Sequence, residues 1–120
     1  MKESDIQIDL PYPPTLNKLY PSSKGGRRFL SGVGKAYKRE VLLIVKQCNY
    51  KKIQGRIKID ITAYPPDNRK RDLDNIVKII FDSLDSAGLF DDDSQIDEFS
   101  VKRGPKIKNG GVNVRLSSIN

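Results

Sequence analysis

The 120-residue chain contains no histidine, no tryptophan and only one cysteine, Cys48. The absence of histidine excludes Ser-His-Asp and Cys-His catalysis and any zinc site that needs an imidazole ligand. A single cysteine cannot close a disulfide within the chain, which favours a reducing, cytoplasmic location. An enzyme of this composition has to work with carboxylates, lysines, hydroxyl groups and a hard metal ion.

Long hydrophobic runs are also missing. No apolar stretch approaches the roughly 20 residues that a membrane helix needs, so no membrane association is expected. The first residues lack the apolar segment of a signal peptide. Because 37% of the residues are hydrophobic, the chain can build one modest core but not two. We therefore expect a single domain over residues 1–120.

The charge of the chain is unevenly distributed. The formal net charge is +7, yet positions 82–98 hold seven acidic residues and no basic one, which leaves 22 basic and eight acidic residues elsewhere. The basic part suits a polyanion, because Lys and Arg displace condensed counterions from phosphates. The acidic patch would repel that polyanion unless a cation sits in it. The alternative interpretation is that both regions are ordinary solvated surface.

The hydrophobic pattern predicts four strands and two helices. Apolar and polar residues alternate in the strand segments, whereas apolar residues recur at helical spacing in the helix segments. Strands are predicted near 6–10, 57–63, 95–102 and 112–116, and helices over 32–48 and from about Asp72 to a stop at Gly88. The order β-α-β-α-β-β predicts an α/β fold with a mixed four-stranded sheet covered by two helices. Residues 15–32 are predicted to form an irregular basic arm.

Two aspartates flank the start of the second predicted helix. Asp72 and Asp74 lie where the helix dipole favours the ionised carboxylate, which is the form that a metal ion binds. Lys78 follows Asp74 by four residues and shares its helix face. The acidic loop after Gly88 can bring a third carboxylate back toward the base of this helix. Two or three convergent aspartates would make an oxygen-ligand site for Mg²⁺ or Mn²⁺.

A metal ion at this position would activate water or stabilise charge on a scissile phosphate. Lys78 would donate to the same phosphate or orient the water. Basic residues nearby and in the arm would bind the neighbouring backbone phosphates. These predicted DNA-binding residues are Arg69, Lys70, Arg71, Lys24, Arg27 and Arg28.

The same residues also have an ordinary structural interpretation. Aspartate at a helix start is a common cap, Asp74 and Lys78 form an ordinary i,i+4 pair, and positions 91–93 form a polar turn. Under that interpretation the chain is a non-catalytic nucleic-acid-binding module with a structural acidic cluster. A third possibility is a regulatory protein whose acidic loop docks a basic partner.

The motif around Asp72 is more specific than its separate residues. The chain resembles the RusA family of Holliday-junction resolvases, which are crossover junction endodeoxyribonucleases. The shared motifs are Arg71-Asp72-Leu73-Asp74-Asn75 with Lys78, then Phe81-Asp82-Ser83-Leu84 with Gly88, and Asp92-Asp93-Ser94-Gln95. Weaker similarity lies in Pro13-Pro14 with Asn17 and Tyr20, and in Gly34-Lys35-Ala36-Tyr37. Together these segments extend from about residue 6 to residue 116.

This resemblance implies roles for particular residues. Asp72, Asp74 and Asp93 fall on the catalytic, metal-binding carboxylates, and Lys78 falls on the catalytic lysine. Because this chain has three consecutive aspartates, Asp92 could replace Asp93 or share its role. The resemblance further implies dependence on Mg²⁺ with Mn²⁺ as a substitute, a homodimer, and paired symmetric nicks in four-way junction DNA during recombination and repair. It also implies a prophage origin.

Overall fold

The elements of the fold follow one another in the predicted order. The computed structural model of the protein describes residues 5–14 and 31–119. The elements are β1 (Ile6–Leu10), α1 (Gly32–Cys48), β2 (Ile57–Tyr64), α2 (Leu73–Ser86), a short 3₁₀ turn (Asp93–Gln95), β3 (Ile96–Arg103) and β4 (Gly111–Ser118). The predicted α/β fold with two helices and a mixed four-stranded sheet is confirmed. Most of the predicted basic arm, including Lys24, Arg27 and Arg28, lies outside the described residues.

The four strands form one sheet in the order β1-β4-β2-β3. β4 runs antiparallel to both β1 and β2, whereas β2 and β3 are parallel. A parallel pair needs a crossover connection, and α2 supplies it. Because α2 runs back along the strands, it begins at the carboxyl end of β2 and returns the chain to the amino end of β3. The two acidic motifs therefore lie at opposite ends of the sheet.

The hydrophobic core lies between the helices and one face of the sheet. Every second residue of β2 points into it, and Ile57, Ile59, Ile61 and Ala63 are at most 1% exposed. Burying one isoleucine side chain contributes roughly 2 kcal/mol, so these residues stabilise the packing of the sheet against the helices. The intervening β2 residues and their neighbours on β1 and β4 are exposed or half-buried. In the described part of the chain, the helices therefore cover one face only.

Local signals set the helix ends. The Ser31 hydroxyl accepts a hydrogen bond from the Gly34 N–H at 3.0 Å and caps α1, as its position in the sequence predicts. Gly88 has φ +82°, a left-handed conformation that glycine adopts without strain, and it stops the chain from continuing α2. Among residues 5–14 and 31–119, neither helix combines the length and the hydrophobicity that crossing a bilayer requires.

The edge strand β3 differs from the other three strands. Its register with β2 pairs Phe99 with Ile59, so the Phe99 ring lies on the helix side of the sheet. There it packs edge to face against Phe81 of α2, with 5.3 Å between ring centroids. Phe99 nevertheless remains 54% exposed, because no further element of the described chain covers this edge.

Candidate metal centre and nucleic-acid groove

The segment between β2 and α2 is held in place by Arg71. Its guanidinium donates to both carboxylate oxygens of Asp67, at 2.5 Å and 3.1 Å, and lies over the Tyr12 ring at 5.3 Å from the centroid. The Arg69 N–H donates to the same carboxylate at 2.9 Å. The hydrogen bond from Arg71, and then that from Arg69, holds the pKa of Asp67 well below its usual value. Arg71 is therefore committed to a structural ion pair as well as being a predicted phosphate contact.

Asp72 and Asp74 are both exposed at the start of α2. Asp72 occupies the N-cap position with extended backbone but makes no capping hydrogen bond. The interpretation of Asp72 as an ordinary helix cap therefore does not apply. Asp74 lies in the first turn and accepts the Asn75 N–H at 3.0 Å. One turn further on, Lys78 lies on the exposed side of the helix, next to the Asp74 position.

The acidic loop at the other end of α2 is ordered by Gln95. Its amide oxygen accepts the backbone N–H groups of Asp91 and Asp92, at 2.8 Å and 3.1 Å. Its amide nitrogen donates to the carbonyls of Ile53 and Gly55, at 3.2 Å and 2.8 Å. One glutamine thus fixes the loop both internally and against the segment before β2. This explains structurally why a glutamine follows the consecutive aspartates.

The neighbouring carboxylates of Asp92 and Asp93 have different surroundings. The Ser94 hydroxyl donates to Asp92 at 2.6 Å and lowers the pKa of that carboxyl group. The pKa of Asp93 is raised instead, by desolvation, by the charge of Asp92 and a side-chain hydrogen bond with it, and by the charges of Asp85 and Asp82. Asp92 is therefore stabilised as an anion within the loop, whereas Asp93 is surrounded by like charges. Such a difference favours Asp93 as the group that needs an external cation.

Three carboxylates converge at this end of α2. One oxygen from each of Asp85, Asp92 and Asp93 lies within 4.8 Å of the other two, which is compatible with a divalent metal ion. Asp85 and Asp82 belong to the acidic run of the sequence but were not predicted as site residues. The available signal was their i,i+3 spacing, which places both on the helix face that the loop approaches.

The expected three-aspartate site does not form within one chain. Asp85 and Asp74 are eleven positions apart on α2, which is roughly 16 Å along a straight helix. Asp93 lies beside Asp85 and is therefore far from Asp72 and Asp74. The expectation that the acidic loop returns to the base of the helix is wrong for a single chain, because α2 is an unbroken rigid spacer and the loop leads directly into β3.

A basic groove borders Asp72. It has a volume of ≈ 590 Å³ and lies between the segment preceding α2 and the end of β3. Its charged lining residues are Asp67, Arg69, Lys70, Arg71, Asp72, Arg103 and Lys106. The three consecutive basic residues were predicted from the sequence, whereas Arg103 and Lys106 were not. No local pattern could have indicated them, because the parallel pairing of Ala63 with Arg103 creates the proximity.

Exposed aspartates beside a basic groove at one end of α2, and three convergent carboxylates at its other end, are compatible with a metal-dependent nuclease. The family model of endodeoxyribonuclease RusA matches residues 11–117. The chain belongs to this family of endodeoxyribonucleases, so the predicted family and enzyme class are confirmed.

Similar proteins from phages and bacteria are named crossover junction endodeoxyribonucleases. The chain is 37% identical over 117 residues to the crossover junction endodeoxyribonuclease of Enterobacteria phage HK97, covering 97% of both chains. It is 35% identical over 113 residues to the crossover junction endodeoxyribonuclease RusA of Shigella sonnei, covering 93% of both chains. The same values hold for the protein of that name from Escherichia coli strain K12. Phage 82 supplies another relative, and the phage proteins support the predicted prophage origin.

Proposed function

We propose that this chain is a cytoplasmic, single-domain endonuclease that resolves four-way DNA junctions by paired symmetric nicks. The observation that carries this proposal is the family match from residue 11 to residue 117, together with exposed aspartates beside a basic groove. Relatives that match nearly the whole chain are named for cutting crossover junctions. Contacts to backbone phosphates read the shape of DNA rather than its sequence, which suits a branched substrate.

We assign Asp72, Asp74 and Asp93 as the ligands of Mg²⁺, with Mn²⁺ as a substitute. Their chemistry fits, because carboxylate oxygens are the ligands that these ions prefer. The Asp72 carboxylate makes no capping hydrogen bond, and the like charges around Asp93 would be relieved by a cation. Asp92 is the weaker candidate, because Ser94 already donates to it. A bound divalent ion supplies Lewis-acid polarisation of the scissile phosphate and a more acidic water.

We assign the other polar groups to binding and charge stabilisation. Lys78, one turn after Asp74, is placed to donate to the phosphate as negative charge develops on it. Arg69, Lys70 and Arg71 line the groove and would contact adjacent backbone phosphates. Lys24, Arg27 and Arg28 of the predicted arm are proposed to act in the same way.

We propose that the active unit is a homodimer whose metal sites are shared between subunits. Within one chain, Asp93 and the pair Asp72 and Asp74 lie at opposite ends of α2. A two-fold axis normal to the sheet would set β3 antiparallel to its copy and exchange the two ends. Asp93 of the partner subunit would then lie on the same side as Asp72 and Asp74. Each of the two sites would draw ligands from both chains.

The uncovered edge of the sheet supports this arrangement. β3 is an edge strand of the described sheet, and an edge strand can pair with another chain. Phe99 lies midway along β3 and exposes 54% of its surface, so it would lie near the proposed axis. A two-fold dimer also has the symmetry of its substrate, because a junction is resolved by cutting two strands of like polarity.

A cleavage assay on a synthetic four-way junction tests the function. Mg²⁺ should give paired nicks at symmetric positions, EDTA should abolish them, and linear duplexes of the four arm sequences should stay intact. Binding to the junction without any cleavage in Mg²⁺ or Mn²⁺ would favour the non-catalytic binding module instead. Equal cleavage of junction and linear duplex would contradict the structure-selective assignment.

A further inference from the structure

The basic groove lies at the edge of the sheet where α/β folds bind their ligands. β2 and β3 form the parallel pair, and the groove opens at their carboxyl ends. In α/β sheets, this is the edge at which ligands bind, because the connecting loops there form a crevice. One wall is the segment from Asp67 to Asp72, and the other consists of Arg103, Gly104 and Lys106 at the end of β3.

The groove carries an excess of positive charge after internal pairing. The Arg71 guanidinium is matched by the Asp67 carboxylate, to which it donates twice. Four cationic side chains then remain against the single carboxylate of Asp72. Within residues 5–14 and 31–119, no ion pair engages the side chains of Arg69, Lys70 or Lys106. A concave surface of this kind attracts a polyanion.

Hydrogen bonds join the β3 wall of the groove to the opposite wall and to the residues at the end of β2. The Arg103 guanidinium donates to the Arg71 carbonyl at 2.7 Å, and the Ile107 N–H donates to the Pro65 carbonyl at 3.0 Å. Gly104 donates its N–H to the Ala63 carbonyl at 2.8 Å, and a Cβ at Gly104 would lie 2.6 Å from the Tyr64 ring. The groove is therefore formed before any ligand arrives, which reduces the entropic cost of binding.

We propose that this groove is a subsite for the backbone phosphates of the DNA strand next to the scissile phosphate. Lys106 contacts the strand from the β3 side, and Arg69 and Lys70 contact it from the opposite wall. Arg103 positions the wall that carries Asp72. The subsite deepens the proposed function and rests on it, because it places the bound strand against a carboxylate that is assigned to the metal. Lys106 lies outside the RusA-like motifs of this chain.

Salt-dependent binding of DNA in EDTA tests the subsite without requiring cleavage. Lys106→Gln and Arg69→Gln should each weaken binding to a four-way junction and flatten the log–log salt dependence by roughly 0.9 per lost contact. Lys58→Gln is the matched control, since Lys58 is also an exposed lysine but lies on the open face of the sheet. It should leave the slope unchanged. Thermal melting of every variant establishes that the fold is retained.

The outcomes separate this inference from the proposed function. If the wild type cuts junctions and Lys106→Gln keeps the wild-type slope, the subsite is wrong while the function stands. If the wild type cuts nothing but Lys106→Gln flattens the slope and Lys58→Gln does not, phosphate binding in the groove stands, whereas its place beside a scissile phosphate fails together with the function. An equal loss in Lys106→Gln and Lys58→Gln would overturn the subsite, because it would indicate a general effect of net charge.

Discussion

The two ends of α2 carry aspartates in opposite electrostatic settings. At the amino end, Asp72 and Asp74 lie beside basic residues and near the positive end of the helix dipole. At the carboxyl end, Asp85, Asp92 and Asp93 crowd together. The first end sets its carboxylates beside cationic side chains, whereas the second sets carboxylates beside one another. A site assembled from both ends would receive positive charge as a bound cation.

Two ion pairs lie at the margins of the acidic end. Lys52 pairs with Asp91 at 2.8 Å, and Arg56 pairs with Asp97. Asp93 lies between them in the sequence, and desolvation together with the charges of neighbouring aspartates raises its pKa. Proteins commonly hold such unfavourable arrangements where a metal or a substrate compensates. The paired aspartates of this region therefore stabilise the loop, whereas Asp93 is the one proposed to bind the metal ion.

The largest expected effect is the loss of cleavage when a proposed ligand aspartate at either end of α2 is substituted. Asp74→Asn and Asp93→Asn should each slow single-turnover cleavage by about a thousandfold, because each keeps the side-chain shape but removes a ligand charge. Junction binding in EDTA should be retained. Asp92→Asn is the matched control and should keep most activity. If Asp92→Asn is inactive and Asp93→Asn is active, the ligand assignment within the loop is wrong.

A mixing experiment tests whether the two ends meet across a dimer. Asp74→Asn and Asp93→Asn are each expected to be inactive, yet their heterodimer would contain one site with all three native aspartates. Random mixing should restore about a quarter of the wild-type sites, detected as single nicks in a junction.

The control for this experiment is a mixture of Asp72→Asn and Asp74→Asn. Both changes lie at the same end of the helix, so every site in their heterodimer lacks one ligand and nicking should not return. Failure of the first mixture to restore nicking, with subunit exchange demonstrated, would contradict the shared site.

A smaller effect is expected at Lys78, on the face that Asp74 shares. Lys78→Ala should slow the chemical step by about a hundredfold, with little change in junction affinity, because the ammonium acts mainly in the transition state. Single-turnover cleavage and equilibrium binding distinguish the two contributions. Weaker binding with an unchanged chemical step would make Lys78 a phosphate anchor.

The smallest effect concerns the ion pair that supports the amino end. Asp67→Asn should lower the melting temperature at neutral pH by about 1–4 °C, because the lowered pKa of Asp67 reports an anion stabilised by folding. That stabilisation is complete above the unfolded-state pKa of about 4 and disappears as the pH falls through the lower folded-state pKa. The melting temperatures of the wild type and of Asp67→Asn, measured between pH 3 and pH 7, should therefore converge as the pH falls. A difference in melting temperature that is the same at every pH would indicate lost packing instead.

The fold was predictable to the extent that its signals are local. The alternation in β2, the Ser31 cap and the Gly88 stop each act within a few residues, and the structure contains all three. The Asp67–Arg71 pair was not predicted, although its i,i+4 spacing is visible in the sequence. Pro65 and Pro66, directly before it, gave no helical context in which that spacing would have meaning.

The sequence by itself determined the chemistry: carboxylates, a lysine and basic residues in motifs specific enough to indicate the family. Only the tertiary structure decided how these groups are distributed in space. The straight helix α2 keeps Asp74 and Asp93 apart, because its length is fixed by backbone hydrogen bonds and not by the chemistry of its ends. The parallel pairing of β2 and β3 brings Arg103 to Arg71, which are 32 residues apart in the chain. Such long-range pairings depend on the packing of the whole sheet, so no local pattern encodes them.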